Sequence, residues 1–143
     1  EIDRCSRFQT SLGLIMLDLD KFKKINDTYG HLYGDYILKE VGKIIKENVR
    51  TIDVVGRFGG EEFSVILVNT NVRDCIPLAK RIVEGINRKT FIFDGIATNL
   101  TISAGMSGYP SMSKESKELI KMADDAMYQT KKKGGNDVTI FQS

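Results

Sequence analysis

A nearly continuous apolar run from Ser11 to Leu17 stops at Asp18-Leu19-Asp20. An uninterrupted run of that length suits a strand buried on both faces, and the acids place its carboxyl end where the sheet opens to solvent. A second apolar run repeats the arrangement in reverse. Asp53-Val54-Val55-Gly56-Arg57-Phe58 leads into Gly59-Gly60, and Glu61-Glu62 opens Phe63 to Val68. Two apolar runs about a Gly-Gly pair predict a hairpin with carboxylates at its turn. If two such strands are neighbours in one sheet, their acids gather at one end.

The rest of the chain supplies helices to cover that sheet. Lys21 to Asp27 reads as a short helix broken at Gly30, after which Ile37, Leu38, Val41, Ile44, Ile45 and Val49 recur at helical spacing, with Asp35 expected to cap or precede that helix. Ile76, Ala79, Ile82, Val83 and Ile86 mark a further amphipathic helix, and Phe91-Ile92-Phe93 before Asp94-Gly95 predicts a small hairpin. Leu100 to Met106 alternates apolar and small polar residues as a strand. Leu119, Ile120, Ala123, Ala126 and Met127 stripe a long helix closed by Lys131-Lys132-Lys133 and Gly134-Gly135, and Val138 to Phe141 forms a last strand. The order β-α-α-β-β-α-β-α-β, with an inserted hairpin, predicts an α/β (α+β) fold with a central mixed, partly antiparallel sheet flanked by helices.

Composition narrows the functions open to such a fold. The 143 residues, 41% of them hydrophobic, match one domain that needs neither disulfides nor structural metal for its core. Lys and Arg number 21 against 19 acids, and a net charge of +2 implies no broad nucleic-acid-binding face. Cys5 and Cys75 lie far apart with no CxxC or nearby histidine, which fits buried or inert thiols in a reducing cytoplasm. No apolar run reaches the ~18 residues of a membrane span, and no signal-like segment opens the chain. The abrupt start at Glu1-Ile2-Asp3 reads as a fragment of a longer protein, whose missing N-terminal region could anchor it to a membrane.

Asp18 and Asp20 share a face by the strand period, and Asp18 converges with Glu61 if their strands are neighbours. Converging carboxylates suit Mg²⁺, which keeps waters and shares its shell with substrate phosphates, as in phosphoryl and nucleotidyl transfer. Taken singly, each acid pair reads equally well as a helix cap or a solvated turn. The longer motifs go further. The run Asp18-Leu19-Asp20-Lys21-Phe22-Lys23-Lys24-Ile25-Asn26-Asp27-Thr28-Tyr29-Gly30-His31-Leu32-Tyr33-Gly34-Asp35 resembles the D-x-D-x-F-K-x-x-N-D-x-x-G-H-x-x-G-D pattern of the GGDEF domains of bacterial diguanylate cyclases. Gly56 to Phe63 is similar to their G-R-[YF]-G-G-[DE]-E-F signature, here in its GGEEF form. Thr101-Ile102-Ser103-Ala104-Gly105 and Ala123 to Tyr128, through Asn136, match two later motifs, so the resemblance covers nearly the whole chain.

The resemblance implies a palm-like, nucleotidyl-cyclase fold and an enzyme that condenses two GTP into cyclic di-GMP and two pyrophosphates, with Mg²⁺, or alternatively Mn²⁺, as cofactor. It implies that Asp18, the Leu19 carbonyl and Glu61 hold the metal, with Glu62 more remote, and that Glu61 or a water it orders takes the proton. Lys23 would offset transition-state charge. Asn26, His31 and Asp35 match nucleotide-contacting positions. A carboxylate at Asp35 can accept from both N1–H and the 2-amino group of guanine, a donor pair that adenine lacks. Lys131 matches a lysine on the terminal phosphates, although a lysine run at a helix end also compensates the helix dipole. Alone, Asn26 reads as a turn former and His31 as structural. The family has arginine where this chain has Gly135, which removes one phosphate contact unless Lys132 or Lys133 replaces it. Arg50-Thr51-Ile52-Asp53 matches the RxxD pattern through which the family binds its product as inhibitor, with Arg81 joining it; alone, it reads as a surface ion pair. Because the 3′-hydroxyl of one GTP attacks the α-phosphate of another, the resemblance implies a homodimer. The alternative functions are a regulatory module that binds GTP or cyclic di-GMP without catalysis, and a cyclase with another purine product.

Overall fold

The computed structural model describes residues 2–3 and 10–142, so Cys5 lies outside the described residues. Strand β1 (Leu12–Leu19) leads into helices α1 (Phe22–Tyr29) and α2 (His31–Asn48), followed by β2 (Val54–Phe58) and β3 (Glu62–Val68). A 3₁₀ turn at Val72–Cys75 precedes α3 (Ile76–Arg88); β4 (Phe91–Phe93) and β5 (Ile96–Thr98) form the small hairpin; β6 (Ile102–Tyr109), α4 (Ser116–Lys132) and β7 (Val138–Ile140) complete the chain. The main sheet runs β2-β3-β1-β6-β7, antiparallel except for the parallel pair β6 and β7. The sheet is mixed and flanked by helices, as the residue pattern predicts.

The strand period divides the core into two layers. Ile15, Leu17 and Leu19 of β1 face a cluster that includes Phe22 and Ile25 of α1, Ile37 and Val41 of α2, and Ile82 and Ile86 of α3. Leu12, Leu14 and Met16 face the opposite way, onto Leu119, Ala123 and Met127 of α4. Burying a side chain of this size contributes about 1.5–3 kcal/mol. β1 is therefore clamped from both sides, and its acidic end has a fixed position.

Two features differ from expectation. α2 starts at His31 with Gly30 as its N-cap, so Asp35 lies inside the helix rather than capping it. β6 spans Ile102–Tyr109 and is buried along its whole length, so its small polar residues do not face solvent. Ser103 Oγ donates to Asp20 Oδ1 at 2.7 Å and Ser107 Oγ to the Leu119 carbonyl at 2.7 Å. Cys75 is a buried free thiol, as expected, and burial pushes its pKa up to about 12.

Candidate active site

β1 lies between β3 and β6, and its register sets Asp18 opposite Glu62 on one side and Ser103 on the other. The expected convergence of the two acidic strand ends is met, with Glu62 rather than Glu61 directly across and Glu61 in the adjoining turn. A cavity of about 590 Å³ opens at this end of the sheet, lined by Asp18, Lys23, Asn26, His31, Asp35, Glu61 and Glu62 together with Phe22, Leu38, Arg57 and Gly60. Seven residues singled out from the sequence thus meet in one place. Arg57 was not among them. Its signal was its place in the Gly56–Phe63 run, as the cation before the Gly-Gly turn.

Local structure explains how the chain reaches this cavity. Lys21 adopts φ +58°, a left-handed conformation uncommon for a side-chain-bearing residue, and so turns β1 sharply into α1. On α1, Asn26 reaches across to α2 at Gly34, where any Cβ would collide with Asn26 Oδ1. Glycine is needed at 34 for that close approach. Lys23, His31 and Asp35 are exposed around the cavity, whereas Phe22 and Leu38 are buried and form its apolar floor.

The two aspartates at the end of β1 have opposite environments. Asp20 accepts from Thr101 Oγ1 (2.7 Å), Ser103 Oγ (2.7 Å), Lys131 Nζ (3.0 Å) and the Asn136 N–H (3.0 Å). Burial alone would raise its pKa, but hydrogen bonds from Ser103, Thr101, Lys131 and Asn136 outweigh burial and hold it below the ordinary value. Asp18 has no such set. Its Oδ1 is buried without a partner, and burial pushes its pKa up to about 7, with Lys131 pulling it down and Glu61, Glu62 and Asp20 adding to the rise. Glu62 is likewise raised, first by burial and then by Asp124 of α4, with which it shares a carboxyl hydrogen bond.

This donor set fits a hard divalent cation. Asp18 Oδ1 has an unused buried lone pair, and the neighbouring acids supply the charge that Mg²⁺ favours. Among the described residues no three His, Cys, Asp or Glu side chains form a complete metal cage.

The family description "Diguanylate cyclase, GGDEF domain" matches residues 1–137. The chain belongs to the GGDEF domain family. This GGDEF domain is 44% identical over 133 residues to Diguanylate cyclase A of Treponema denticola, covering 93% of the chain and 36% of that protein. It is also similar to the active GGEEF domain of a diguanylate cyclase from Vibrio cholerae (30% identity, TM-score 0.91, 99% of this chain and 89% of that one). The GGDEF domain of DgcB from Caulobacter crescentus in complex with c-di-GMP is similar as well (27% identity, TM-score 0.89, 96% and 82% covered). The chain spans about a third of the length of the curated relatives it matches.

Of the remaining expected site residues, Lys131 and the Leu19 carbonyl meet at the end of β1, and Arg50, Asp53 and Arg81 lie elsewhere in this GGDEF domain. Lys131 Nζ, instead of reaching into open solvent, donates to the Leu19 carbonyl at 3.2 Å and to Asp20. Lys132 Nζ sits 4.9 Å from the centre of the Tyr128 ring, and Lys133 lines a different cavity. At Gly135, φ is +76° and a Cβ would lie 2.6 Å from Asp20 Oδ2, so an arginine here requires Asp20 to shift.

Arg50 and Asp53 form a clamp at the base of the hairpin rather than a simple surface pair. Arg50 Nε and Nη2 donate to the two Asp53 oxygens at 3.1 and 2.9 Å, and Nη2 also reaches the Val68 carbonyl (2.6 Å) and Thr70 Oγ1 (2.9 Å). Asp53 in turn accepts from the Val68 N–H at 3.2 Å. Its side chain is 0% exposed, against 50% for Arg50. Arg81 is exposed on α3 and makes no ion pair among the described residues.

Proposed function

We propose that these residues form one catalytic domain that condenses two GTP into cyclic di-GMP. The observation that carries this reading is the cavity at the end of β1, where seven motif residues meet and two buried acceptors, Asp18 Oδ1 and Asn26 Oδ1, have no hydrogen-bond partner among the described residues. Native proteins satisfy nearly all buried polar atoms, so such a pair points to a ligand that brings a cation and a donor.

Mg²⁺, or Mn²⁺, would be held by Asp18, the Leu19 carbonyl and Glu61, with Glu62 more remote, and when bound it would offset phosphate charge and assist departure of pyrophosphate. Lys23, exposed at the rim, would place positive charge where negative charge builds up on the α-phosphate. Asn26 and Asp35 contact the nucleotide. Asp35 accepts from the Watson–Crick edge of guanine, a pairing that disfavours adenine. His31 lies beside them at the start of α2. Glu61, or water it orders, accepts the proton of the attacking 3′-hydroxyl. Each copy of the domain would hold one GTP, and the 3′-hydroxyl of one would reach the α-phosphate of the other across two copies that face each other. Arg50, Asp53 and Arg81 form the site for product inhibition. The Nη1 group of Arg50, left out of the clamp, is available to an anion.

The test is to incubate the domain at high concentration with GTP and Mg²⁺ and separate the products by chromatography. Cyclic di-GMP should form, with specific activity rising with enzyme concentration, and EDTA should stop it. GTP binding without product at any enzyme concentration would instead assign a regulatory module.

A further inference from the structure

Asp18, Asp20, Glu61 and Glu62 crowd one end of the sheet, and one cationic side chain among the described residues contacts them. Lys131 comes from the last turn of α4, and its Nζ lies 3.0 Å from Asp20 Oδ1, 3.2 Å from the Leu19 carbonyl, 3.5 Å from the Asp18 carbonyl and 3.9 Å from Asp18 Oδ2. It donates to the Leu19 carbonyl and lies at ion-pair distance from the Asp18 carboxylate, the two groups assigned above to the metal. We propose that Lys131 is an exchangeable resident cation: its ammonium holds the Asp18–Leu19 corner in the metal-free domain and leaves that corner when a divalent cation enters, while staying tethered to Asp20. The proposal rests on the reading that Asp18 and the Leu19 carbonyl hold the metal.

Three features make the exchange physically reasonable. An ammonium and a divalent cation on the same oxygens repel each other strongly at such separations, so the two occupancies oppose one another. A lysine ammonium is a compact charge on a flexible stem with three donors, and the Lys131 side chain is 27% exposed, which leaves it room to swing. Asp20, its anchor, is fixed independently by Thr101, Ser103 and the Asn136 N–H, so losing the three contacts at the Asp18–Leu19 corner does not release the one to Asp20. The freed ammonium would remain close to any phosphate that accompanies the metal. Neither neighbouring lysine is placed to replace it, since Lys132 lies over Tyr128 and Lys133 lines another cavity.

The test uses Mn²⁺ without nucleotide, so the readout is separate from catalysis. Mn²⁺ affinity is measured by electron paramagnetic resonance for the parent, Lys131→Gln and Asp18→Asn. In parallel, the rate at which a small acylating reagent modifies each lysine is followed by peptide mass spectrometry, with and without Mn²⁺. Saturation of the parent should raise Lys131 labelling about fivefold or more while Lys132 stays constant, and Lys131→Gln should bind Mn²⁺ about fivefold tighter. Asp18→Asn should lose both the binding and the labelling change. Binding that depends on Asp18 but leaves Lys131 labelling unchanged overturns the exchange and keeps the metal site. Binding indifferent to Asp18→Asn, or absent through the millimolar range, overturns the metal reading and the exchange with it. Should Lys131→Gln fail to fold by circular dichroism, the labelling of the parent still decides.

Discussion

At the end of β1, Asp18 Oδ1 and Asn26 Oδ1 are buried with no partner, whereas ahead of β2 both oxygens of Asp53 are bonded, to Arg50 on each and to the Val68 N–H on one. Both regions stand out in the sequence as charged motifs with an expected ligand. The fold completes one and leaves the other open. An unsatisfied buried acceptor costs about 1–3 kcal/mol, so the open corner holds free energy that a ligand can recover, while the clamp already uses its hydrogen bonds to fix the hairpin base. The corner is built to change occupancy and the clamp to stay closed. An anion at Arg50 therefore finds the Nη1 edge, not the whole guanidinium fork.

That contrast can be broken in either region. Glu61→Ala should lower product formation on the order of 10²–10³-fold, because it removes charge at the site where the reaction develops it. Its thermal unfolding midpoint should hardly move, since Glu61 belongs to neither core cluster. Near-normal turnover with unchanged metal dependence would remove Glu61 from the site. In the clamp the pattern reverses. Asp53→Ala strips a buried carboxylate from Arg50 and from the Val68 N–H and should cost about 2–4 kcal/mol in urea unfolding. Arg50→Ala should cost a similar amount, because it leaves the fully buried Asp53 carboxylate without its ion pair. A loss in Asp53→Ala no larger than the ~0.5 kcal/mol of an ordinary surface substitution would show that the clamp holds nothing.

Acid and base titration sharpen the same comparison, with opposite signs. Burial would raise Asp53, but its bonds from Arg50 and Val68 hold its pKa below the unfolded value of 3.8, so its stabilisation is present above that pH and is lost as pH falls through the folded pKa. Asp18 is raised from 3.8 to about 7, chiefly by burial, so its relative stabilisation is complete below 3.8 and is lost as pH rises through about 7. In EDTA, Asp18→Asn should match the parent near pH 4 and exceed its stability at pH 8 by on the order of 1–3 kcal/mol. Asp53→Asn should be weaker than the parent at neutral pH, with the gap closing in strong acid. Parallel profiles for the two variants would mean that their environments do not differ as the geometry requires.

The strands at the site were legible because continuous apolar runs and a Gly-Gly pair allow few alternatives, and the sheet order then brought Asp18 to Glu62. The helices were legible from their apolar spacing, but not all of their ends. Gly34-Asp35 has the composition of a helix start, yet α2 begins at His31, because Gly34 is needed inside the helix as the contact for Asn26. The alternation in Leu100 to Met106 marked a strand but not what covers its two faces. In the fold both faces are covered, and its serines face Asp20 and the Leu119 carbonyl. The difference between Asp18 and Asp20 could not be read locally at all. Two acids on one strand face look equivalent until Thr101, Ser103 and the Asn136 N–H, distant in sequence, converge on Asp20 alone, and Lys131 hydrogen-bonds the Asp20 carboxylate while lying only at ion-pair distance from that of Asp18.

The smallest expected effect concerns the rim of the open corner, where solvent weakens each interaction. Asp35 lines the cavity from the first turns of α2 but is exposed, unlike Asp18. A charged hydrogen bond is worth roughly 1.5–3 kcal/mol when well sheltered, and at an exposed carboxylate the lower end applies. Asp35→Ser should therefore lower the preference for GTP over ATP about tenfold, read as the ratio of kcat/KM for the two nucleotides. Serine keeps one acceptor and adds a donor, so binding of ATP should improve as binding of GTP declines, and overall turnover should change less than in Glu61→Ala. Stability should be unaltered, because Asp35 does not cap the helix and forms no ion pair among the described residues. A variant that discriminates the two bases as sharply as the parent would take Asp35 out of base recognition and leave Asn26, with its unpartnered Oδ1, as the candidate reader at the same cavity.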